Sequence, residues 1–256
     1  MSSVSLPPES LRATLFCDAD HPAVRATAIS VSCDSETVEE KISRLFSWVQ
    51  DGIRMTIKRD WADKASETME SRRGGCSNKA NLLVAMLRSV GIPAAFYRQP
   101  ANAKEYFGPV WFSQIQAMCD EDSCHFYAAV WVSDRWVKCD PTDDLQLSLG
   151  SSHFNPPSER ITFDGTKDSL LNLNPMHLEG APELVWDLDQ DLGSISKKPD
   201  FYFAVMDAYW CFLRLEGPRF ESVDALPELF RIWLGARDPE LAVMYERWCK
   251  ELEEVS

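Results

Sequence analysis

The segment that most constrains the fold starts at a glycine pair followed at once by a cysteine, Gly74-Gly75-Cys76. Small or apolar residues then recur every three or four positions, which predicts one face of a buried helix: Ala80, Leu83, Val84 and Leu87. Gly91-Ile92-Pro93 ends this pattern as a helix C-terminus should end. Cys76 therefore lies in the first turn, where free backbone N–H groups favour a thiolate. The alternative is an inert buried thiol, which is what most free cysteines are.

Length and charge limit the class of protein. The chain has 256 residues, of which 45% are hydrophobic, so it can form a full core without disulfides or metals. Its formal net charge of −14 argues against nucleic-acid binding, which needs a basic face. The N-terminal residues do not resemble a signal peptide, and we expect no membrane span because no run of about 18 apolar residues occurs.

The cysteines predict neither a disulfide scaffold nor a metal site. Eight cysteines in 256 residues are too sparse for such a scaffold, so a reducing cytoplasm is the expected setting. Cys119 and Cys124 have no second pair at zinc-ligand spacing, and His153 and His177 stand alone. We therefore expect no metal and no cofactor.

The chain divides into three predicted parts. Residues 1–34 alternate weakly and predict an N-terminal arm or edge strand, residues 35–198 form the core, and residues 199–256 form a helical C-terminal extension. In the extension, apolar residues from Phe201 to Leu215 mark a first helix. Pro227 begins a second, which Gly235 ends, and a third begins at Asp238-Pro239-Glu240.

Within the core, a helix from Val38 to about Asp51 is predicted, with Asp34-Ser35 as its N-cap. Residues 52–73 read as an irregular linker with a short helix near Ala65 to Ser71, and Ala94 to Arg98 as a short strand. Residues 99–122 look like a loop insertion, and residues 141–198, with prolines at 156, 157, 175 and 182, look irregular.

The clearest strand pair runs from His125 to Asp140. Ser133-Asp134 can form a two-residue turn, which places Trp131 opposite Trp136. In this register His125 is the diagonal neighbour of Asp140 on one face of the sheet. A loop longer or shorter by one residue would put the two side chains on opposite faces.

These residues suggest a catalytic set. A cysteine nucleophile needs a base, usually histidine, and a third group that orients the base. Cys76, His125 and Asp140 supply the three residue types. Taken singly, His125 could be an ordinary structural histidine, and Asp140, before Pro141, could simply start a turn.

The same residues carry a family resemblance. Residues Gly75 to Ala94 resemble the cysteine-helix motif of the transglutaminase-like superfamily. His125 and the segment Trp136 to Thr142 resemble its histidine and aspartate strands, in the same chain order. The helix at 38–51 is similar to the one that precedes the motif, and residues 163–169 resemble a tail of bacterial stand-alone members. The resemblance covers roughly residues 35–175.

The resemblance implies a papain-like α+β fold, with the nucleophile helix packed on an antiparallel sheet. It also implies that Cys76 is the nucleophile, His125 the base and Asp140 the orienting group, acting through a thioester acyl-enzyme. The zinc-binding cysteine pairs of peptide glycanases and the calcium-binding multidomain layout of animal cross-linkers are absent. The expected protein is a stand-alone bacterial-type member.

The substrate and the second reaction step remain open. The acyl donor could be a peptide, another amide or an acyl thioester, including an acyl group on a carrier protein. An amine would resolve the thioester to an amide, whereas water would make the protein a peptidase or amidase. A non-catalytic interaction module that keeps the fold is the other alternative. No nucleic-acid or membrane partner is expected.

Three further residues are candidates for stabilising the oxyanion or binding the substrate near Cys76. Its own backbone N–H is the expected oxyanion donor, and the indole of Trp61 could be a second, unless Trp61 is an ordinary core residue. Arg72 and Arg73 could stabilise a thiolate, or bind a substrate carboxylate or a phosphopantetheine phosphate. The alternative is a solvated basic patch, because residues 54–79 carry seven basic and four acidic side chains.

Overall fold

The computed structural model describes residues 6–106, 108–154, 160, 162–170, 178–193 and 196–255. Residues 1–5, Pro156, Pro157, Pro175 and His177 figure in the predictions above and lie outside the described residues.

The N-terminal part is helical, so the predicted edge strand is wrong where the structure describes it. A 3₁₀ turn at Pro8–Leu11 is followed by helix α1, Pro22–Ser32. Pro22 occupies the first turn of α1, where its missing N–H costs nothing. Val24 and Ala28, four residues apart, are fully buried against the core. The period of four, rather than the weak alternation, was the informative pattern.

Helix α2 spans Val38–Gly52, close to the predicted bounds, and buries Ile42, Leu45 and Val49. Its N-cap is Thr37 and not Asp34-Ser35, because the Thr37 hydroxyl accepts the Glu40 N–H at 3.2 Å from an extended residue directly before the helix. Helix α3, Ala65–Ser71, matches the predicted short helix. It is flanked by two short parallel strands, β1 at Arg54–Met55 and β2 at Arg73–Gly74.

The cysteine helix α4 spans Cys76–Ser89 and is buried from Ser77 to Arg88. The glycine pair before it is required by close contacts. A Cβ on Gly75 would lie 2.3 Å from the Trp61 ring, and one on Gly74 would lie 2.7 Å from the Asn78 Cβ. Gly91 follows the helix with a φ of +78°, a conformation that favours glycine.

Four antiparallel strands form the sheet in the order β5-β4-β3-β6. They are β3 at Ala94–Ala101, β4 at Ser123–Val132, β5 at Arg135–Cys139 and β6 at Glu183–Val185. Helix α4 packs on β4 and β3. Trp131 pairs with Trp136 across a two-residue turn whose residues both have positive φ, which confirms the predicted register. The predicted α+β class, with the cysteine helix against an antiparallel sheet, is confirmed.

Two stretches predicted as irregular contain short elements. Between β3 and β4 lie 3₁₀ turns at Ala103–Glu105 and Gly108–Val110 and helix α5, Ser113–Met118. After β5 come helix α6, Leu145–Ser151, and helix α7, Asp189–Leu192. These elements are one or two turns long, too short for a periodic pattern to show.

The C-terminal part is helical, as predicted. Helix α8 spans Asp200–Glu216, α9 spans Leu226–Arg237 and α10 spans Pro239–Val255. Gly235 does not end α9 but lies inside it, and α9 stops where Asp238 leaves helical geometry and accepts the Leu241 N–H at 3.0 Å. Short 3₁₀ turns at Gly217–Arg219 and Val223–Ala225 connect α8 to α9.

Two hydrophobic clusters build the interior. The first, called the sheet cluster below, joins α1, α2 and α4 to the sheet. The second, called the aromatic cluster, joins residues 103–119 to α8, α9 and α10. The insertion and the C-terminal helices thus share one core. None of the helices in the described part of the chain is both long and apolar enough to cross a bilayer.

Candidate active site

His125 and Asp140 form a buried pair on the sheet. Nε2 of His125 lies 2.6 Å from Oδ2 of Asp140, and the two residues are 2% and 1% exposed. The β4–β5 register produces this contact, because it places both side chains on one face at the end of the hairpin. The predicted neighbourhood of the two residues is confirmed.

Further hydrogen bonds fix the Asp140 carboxylate. Its second oxygen, Oδ1, accepts the backbone N–H of Thr142 at 3.1 Å and the Thr142 hydroxyl. The Asp140 backbone N–H donates to the Ser169 carbonyl at 2.8 Å, and the Ser169 N–H donates to the Lys138 carbonyl at 2.8 Å. The segment around Ser169 therefore continues the pairing beyond β5 and holds Asp140 in place.

Cys76 reaches the same pair from helix α4. Its thiol lies close enough to His125 to raise the pKa of that ring, and because Asp140 engages Nε2, the ring nitrogen left for the sulfur is Nδ1. Cys76 is only half-buried. As the first residue of α4, it has a backbone N–H with no carbonyl in the preceding turn of the helix to accept it. The structure thus brings together the three residues that the sequence singled out.

The electrostatics favour a charged pair. Burial opposes charge on His125, but the adjacent Asp140 carboxylate and the Cys76 thiol raise the pKa of His125 well above its usual value. Burial likewise opposes charge on Asp140, yet His125 and Thr142 hold the pKa of that carboxyl below its usual range. An imidazolium beside a carboxylate is therefore the favoured state at neutral pH.

Beside Cys76 and His125 opens a cavity of about 370 Å³. One wall comes from the sheet cluster and includes Trp61 and Phe126. The opposite wall comes from the aromatic cluster and includes Tyr106, Trp111 and Trp210. Cys76 thus lies where the two clusters meet.

Comparison with known proteins agrees with this geometry. Residues 25–141, which include all three residues, match the model of the transglutaminase-like superfamily. This part of the chain is therefore similar to the transglutaminase-like superfamily. The matched region thus contains Cys76, His125 and Asp140, the three residues assembled in the structure.

One solved structure is similar over most of the chain. It is a protein from Cytophaga hutchinsonii, provisionally named a cysteine protease, with 16% sequence identity and a TM-score of 0.46. The alignment covers 77% of this chain and 54% of that one, so the present chain spans about half the length of that protein. No curated protein matches the sequence significantly.

Lys79 anchors helix α4, which begins at Cys76. Its ammonium is fully buried and donates to the carbonyls of Gln50 at 2.9 Å and Ile53 at 2.7 Å, at the C-terminal end of α2. A cation there is favoured by the helix dipole. Burial lowers the pKa of Lys79 to about 8, although Asp144 and Asp143 oppose the shift.

Two buried carboxyls that sequence reasoning missed follow Asp140 in the chain. Asp143 accepts the Tyr106 hydroxyl at 2.8 Å, and burial raises its pKa to about 7. Asp144 pairs with Arg214 of α8 at 2.6 Å, and this partner holds its pKa below the usual range against the effect of burial. Asp144 also accepts the backbone N–H of Met55, a residue of the cavity wall, at 2.9 Å.

Trp61 lies at the cavity, but its orientation does not suit the predicted oxyanion role. The benzene edge of the indole faces Gly75, so the N–H edge points away from the residue before Cys76. The Trp61 carbonyl accepts the Asn78 side-chain amide at 2.8 Å, and the Gly75 N–H donates to Asn78 at 3.2 Å. Asn78, which sequence reasoning also missed, thereby ties Trp61 to the start of α4.

Arg72 and Arg73 do not line the cavity, so the structure does not bring them to Cys76. Arg72 adopts a left-handed conformation with φ of 55°, and its guanidinium stacks over the Trp48 ring at 4.6 Å. Arg73 contacts Asp207 at 3.3 Å. The turn after α3 directs both side chains away from the cavity.

Metal ligation finds no support in the described part of the chain, where no group of three histidine, cysteine, aspartate or glutamate side chains could hold an ion. All eight cysteines, including Cys119 and Cys124, are free thiols.

Proposed function

We propose that the protein is an acyltransferase that forms a thioester acyl-enzyme on Cys76. One observation carries the proposal: His125 lies beside Cys76 at the same cavity, and Nε2 of its ring lies 2.6 Å from the buried Asp140 carboxylate. A nucleophile, a base and a group that orients the base are the three parts that cysteine acyl transfer requires.

The first step follows from this arrangement. The Cys76 thiolate attacks the carbonyl carbon of an amide or thioester, and the tetrahedral oxyanion accepts a hydrogen bond from the Cys76 backbone N–H. The protonated His125 gives its proton to the departing amine or thiol, and the thioester forms. The raised pKa of His125 keeps this proton available at neutral pH. Asp140 keeps Nε2 engaged, so that Nδ1 stays directed at the sulfur.

The second step releases the acyl group. An incoming amine attacks the thioester carbon, His125 takes a proton from the amine, and the Cys76 thiolate leaves. Water could act in the same way and would make the protein a hydrolase. The aromatic side chains around the cavity favour an amine, because an apolar lining limits the water near the thioester. Peptide amides and acyl thioesters, including carrier-bound ones, are the proposed donors.

The test is turnover with a simple acyl thioester in the presence and absence of a primary amine. We expect thiol release from the donor, a faster rate with amine, and an amide product identified by mass spectrometry. His125→Ala should lower the rate, whereas Cys33→Ala, which removes an exposed free thiol outside the cavity, should leave it unchanged. Free acid as the sole product would assign hydrolysis. No turnover with any thioester or peptide amide would contradict the proposal.

A further inference from the structure

The walls of the cavity beside Cys76 are dominated by aromatic rings. They include Trp61, Tyr106, Trp111, Tyr202, Phe203 and Trp210. A pocket of about 370 Å³ lined in this way binds apolar groups well, because aromatic surfaces bury a large area at little cost in side-chain entropy.

The deep part of this wall is held in one arrangement. The Tyr106 ring is 7% exposed and lies 5.6 Å from the Trp111 ring and 6.4 Å from the Trp210 ring. Its hydroxyl is fixed by the hydrogen bond to Asp143. A preformed wall does not have to be ordered when a ligand binds, which strengthens binding of a complementary shape.

The outer part of the wall is formed by the first turn of α8. Tyr202 and Phe203 are half-buried, and their rings meet edge to face at 4.9 Å. They come from a different part of the chain than the nucleophile, and they bound the cavity that Cys76 faces. A group attached to the Cys76 thioester would therefore occupy the cavity that these rings line.

The charges around the cavity do not suit an anionic acyl chain. Apart from His125, the cation among its described lining residues is Lys198, which is already paired with Asp120 at 2.8 Å and donates to the Met118 carbonyl at 2.9 Å. Asp191 also lines the cavity and is paired with Arg98 at 3.6 Å. An acyl chain ending in a carboxylate would lose its hydration there without gaining a free cation.

We propose that the acyl group carried by Cys76 is uncharged and bears an aryl or similarly bulky apolar group that packs on Tyr106 and Phe203. This inference rests on the proposed acyl-enzyme and adds the chemical class of its donor. Small acyl groups such as acetyl leave the aromatic wall unfilled, and anionic ones such as succinyl meet the unfavourable charge.

The experiment compares three thioesters of the same thiol: 3-phenylpropionyl, acetyl and succinyl. The rate of acylation of Cys76 is followed by intact mass, and kcat/KM is measured for each donor. We expect the phenylpropionyl donor to exceed both others by about tenfold or more, since apolar contacts of a few carbon atoms discriminate on that scale. Equal rates, or a faster acetyl or succinyl donor, would overturn this inference while leaving the proposed acyl-enzyme intact. Absence of any adduct would overturn both.

A matched pair of variants locates the effect. Phe203→Ala should lower the ratio of phenylpropionyl to acetyl rates about tenfold. Phe201→Ala should leave this ratio unchanged, because Phe201 lies in the same turn of α8 but packs toward Trp248, at 6.3 Å, and does not line the cavity. Ala103→Leu, which adds volume inside the cavity, should also lower the ratio. An unchanged ratio in both Phe203→Ala and Ala103→Leu would refute the assignment of the aromatic wall as the acyl site.

Discussion

The sheet cluster and the aromatic cluster contribute to the cavity in different ways. The sheet cluster supplies Cys76 and His125 from a helix and a strand whose positions are fixed by backbone pairing. The aromatic cluster supplies rings that contact one another and come from the insertion and the C-terminal helices. The comparison suggests that the chemistry is fixed by strand register, whereas selectivity depends on how the C-terminal helices pack. The two properties should then respond to different substitutions.

The boundary between the clusters is the short segment that follows β5. Within it, Asp140 contacts His125 on the side of the sheet cluster. On the side of the aromatic cluster, Asp143 binds Tyr106 and Asp144 binds Arg214. Three buried carboxyls thus join the two regions, each with a different partner.

The largest expected effect is on the rate of the acylation step. Asp140→Asn keeps the size of the side chain but removes the charge that holds His125 as an imidazolium, and we expect acylation to slow about 10³–10⁴-fold. The binding of a donor should change little, so the loss should fall on kcat rather than KM. Steady-state kinetics with an acyl thioester measure this. A loss of less than about tenfold would show that Asp140 does not orient the base.

The second largest effect is expected on stability, from loss of the buried ion pair that connects the two clusters. Arg214→Met leaves the Asp144 carboxylate buried without its partner, and we expect the free energy of unfolding to fall by about 3–5 kcal/mol in urea titrations. Arg231→Met in α9 is the control, because its pairs with Glu228 and Glu246 are exposed and should contribute nothing measurable. Equal effects of the two variants would contradict the account.

A pH effect distinguishes Asp143 from its neighbours. Because its pKa is raised to about 7, the native protein keeps a proton there that the unfolded chain loses above about pH 4. The free energy of unfolding should therefore fall between pH 4 and 7, with a contribution from Asp143 of about 2–4 kcal/mol. Asp143→Asn should flatten this fall while its amide oxygen still accepts the Tyr106 hydroxyl. An unchanged pH profile in the variant would show that Asp143 is ionised in the native state.

The smallest expected effects are changes in stability when either of two glycines in different environments is replaced by alanine. Gly75→Ala would press a Cβ to within 2.3 Å of the Trp61 ring and should destabilise the protein by about 1–3 kcal/mol. Gly235→Ala, in the interior of α9 with nothing within 4 Å of the added Cβ, should stabilise it by up to about 1 kcal/mol. Thermal unfolding of both variants measures the signs. Shifts of the same sign would contradict the assigned environments.

The difference between the sheet cluster and the aromatic cluster also explains which features could be predicted from the sequence. The cysteine helix and the hairpin register follow from local patterns, namely apolar periodicity and a two-residue turn between Trp131 and Trp136. The Asp143–Tyr106 contact joins residues 37 positions apart in the sequence, and the Asp144–Arg214 contact joins residues 70 positions apart. A local sequence pattern cannot predict contacts between residues so far apart in the chain. Arg72 and Arg73 were proposed at the site because they precede Cys76 in the chain, but the turn after α3 points them elsewhere.

The central claim is that Cys76 carries the acyl group, and intact mass tests it most directly. The experiment incubates three proteins with a 3-phenylpropionyl thioester: the wild type, Cys76→Ala and Cys124→Ala. Each reaction is quenched in acid and the intact protein mass is measured by mass spectrometry. Cys124 is a second free thiol that lines the same cavity, so its variant controls for non-specific acylation. The account predicts one acyl adduct on the wild type and on Cys124→Ala, and none on Cys76→Ala. An adduct that persists in Cys76→Ala and disappears in Cys124→Ala would contradict it.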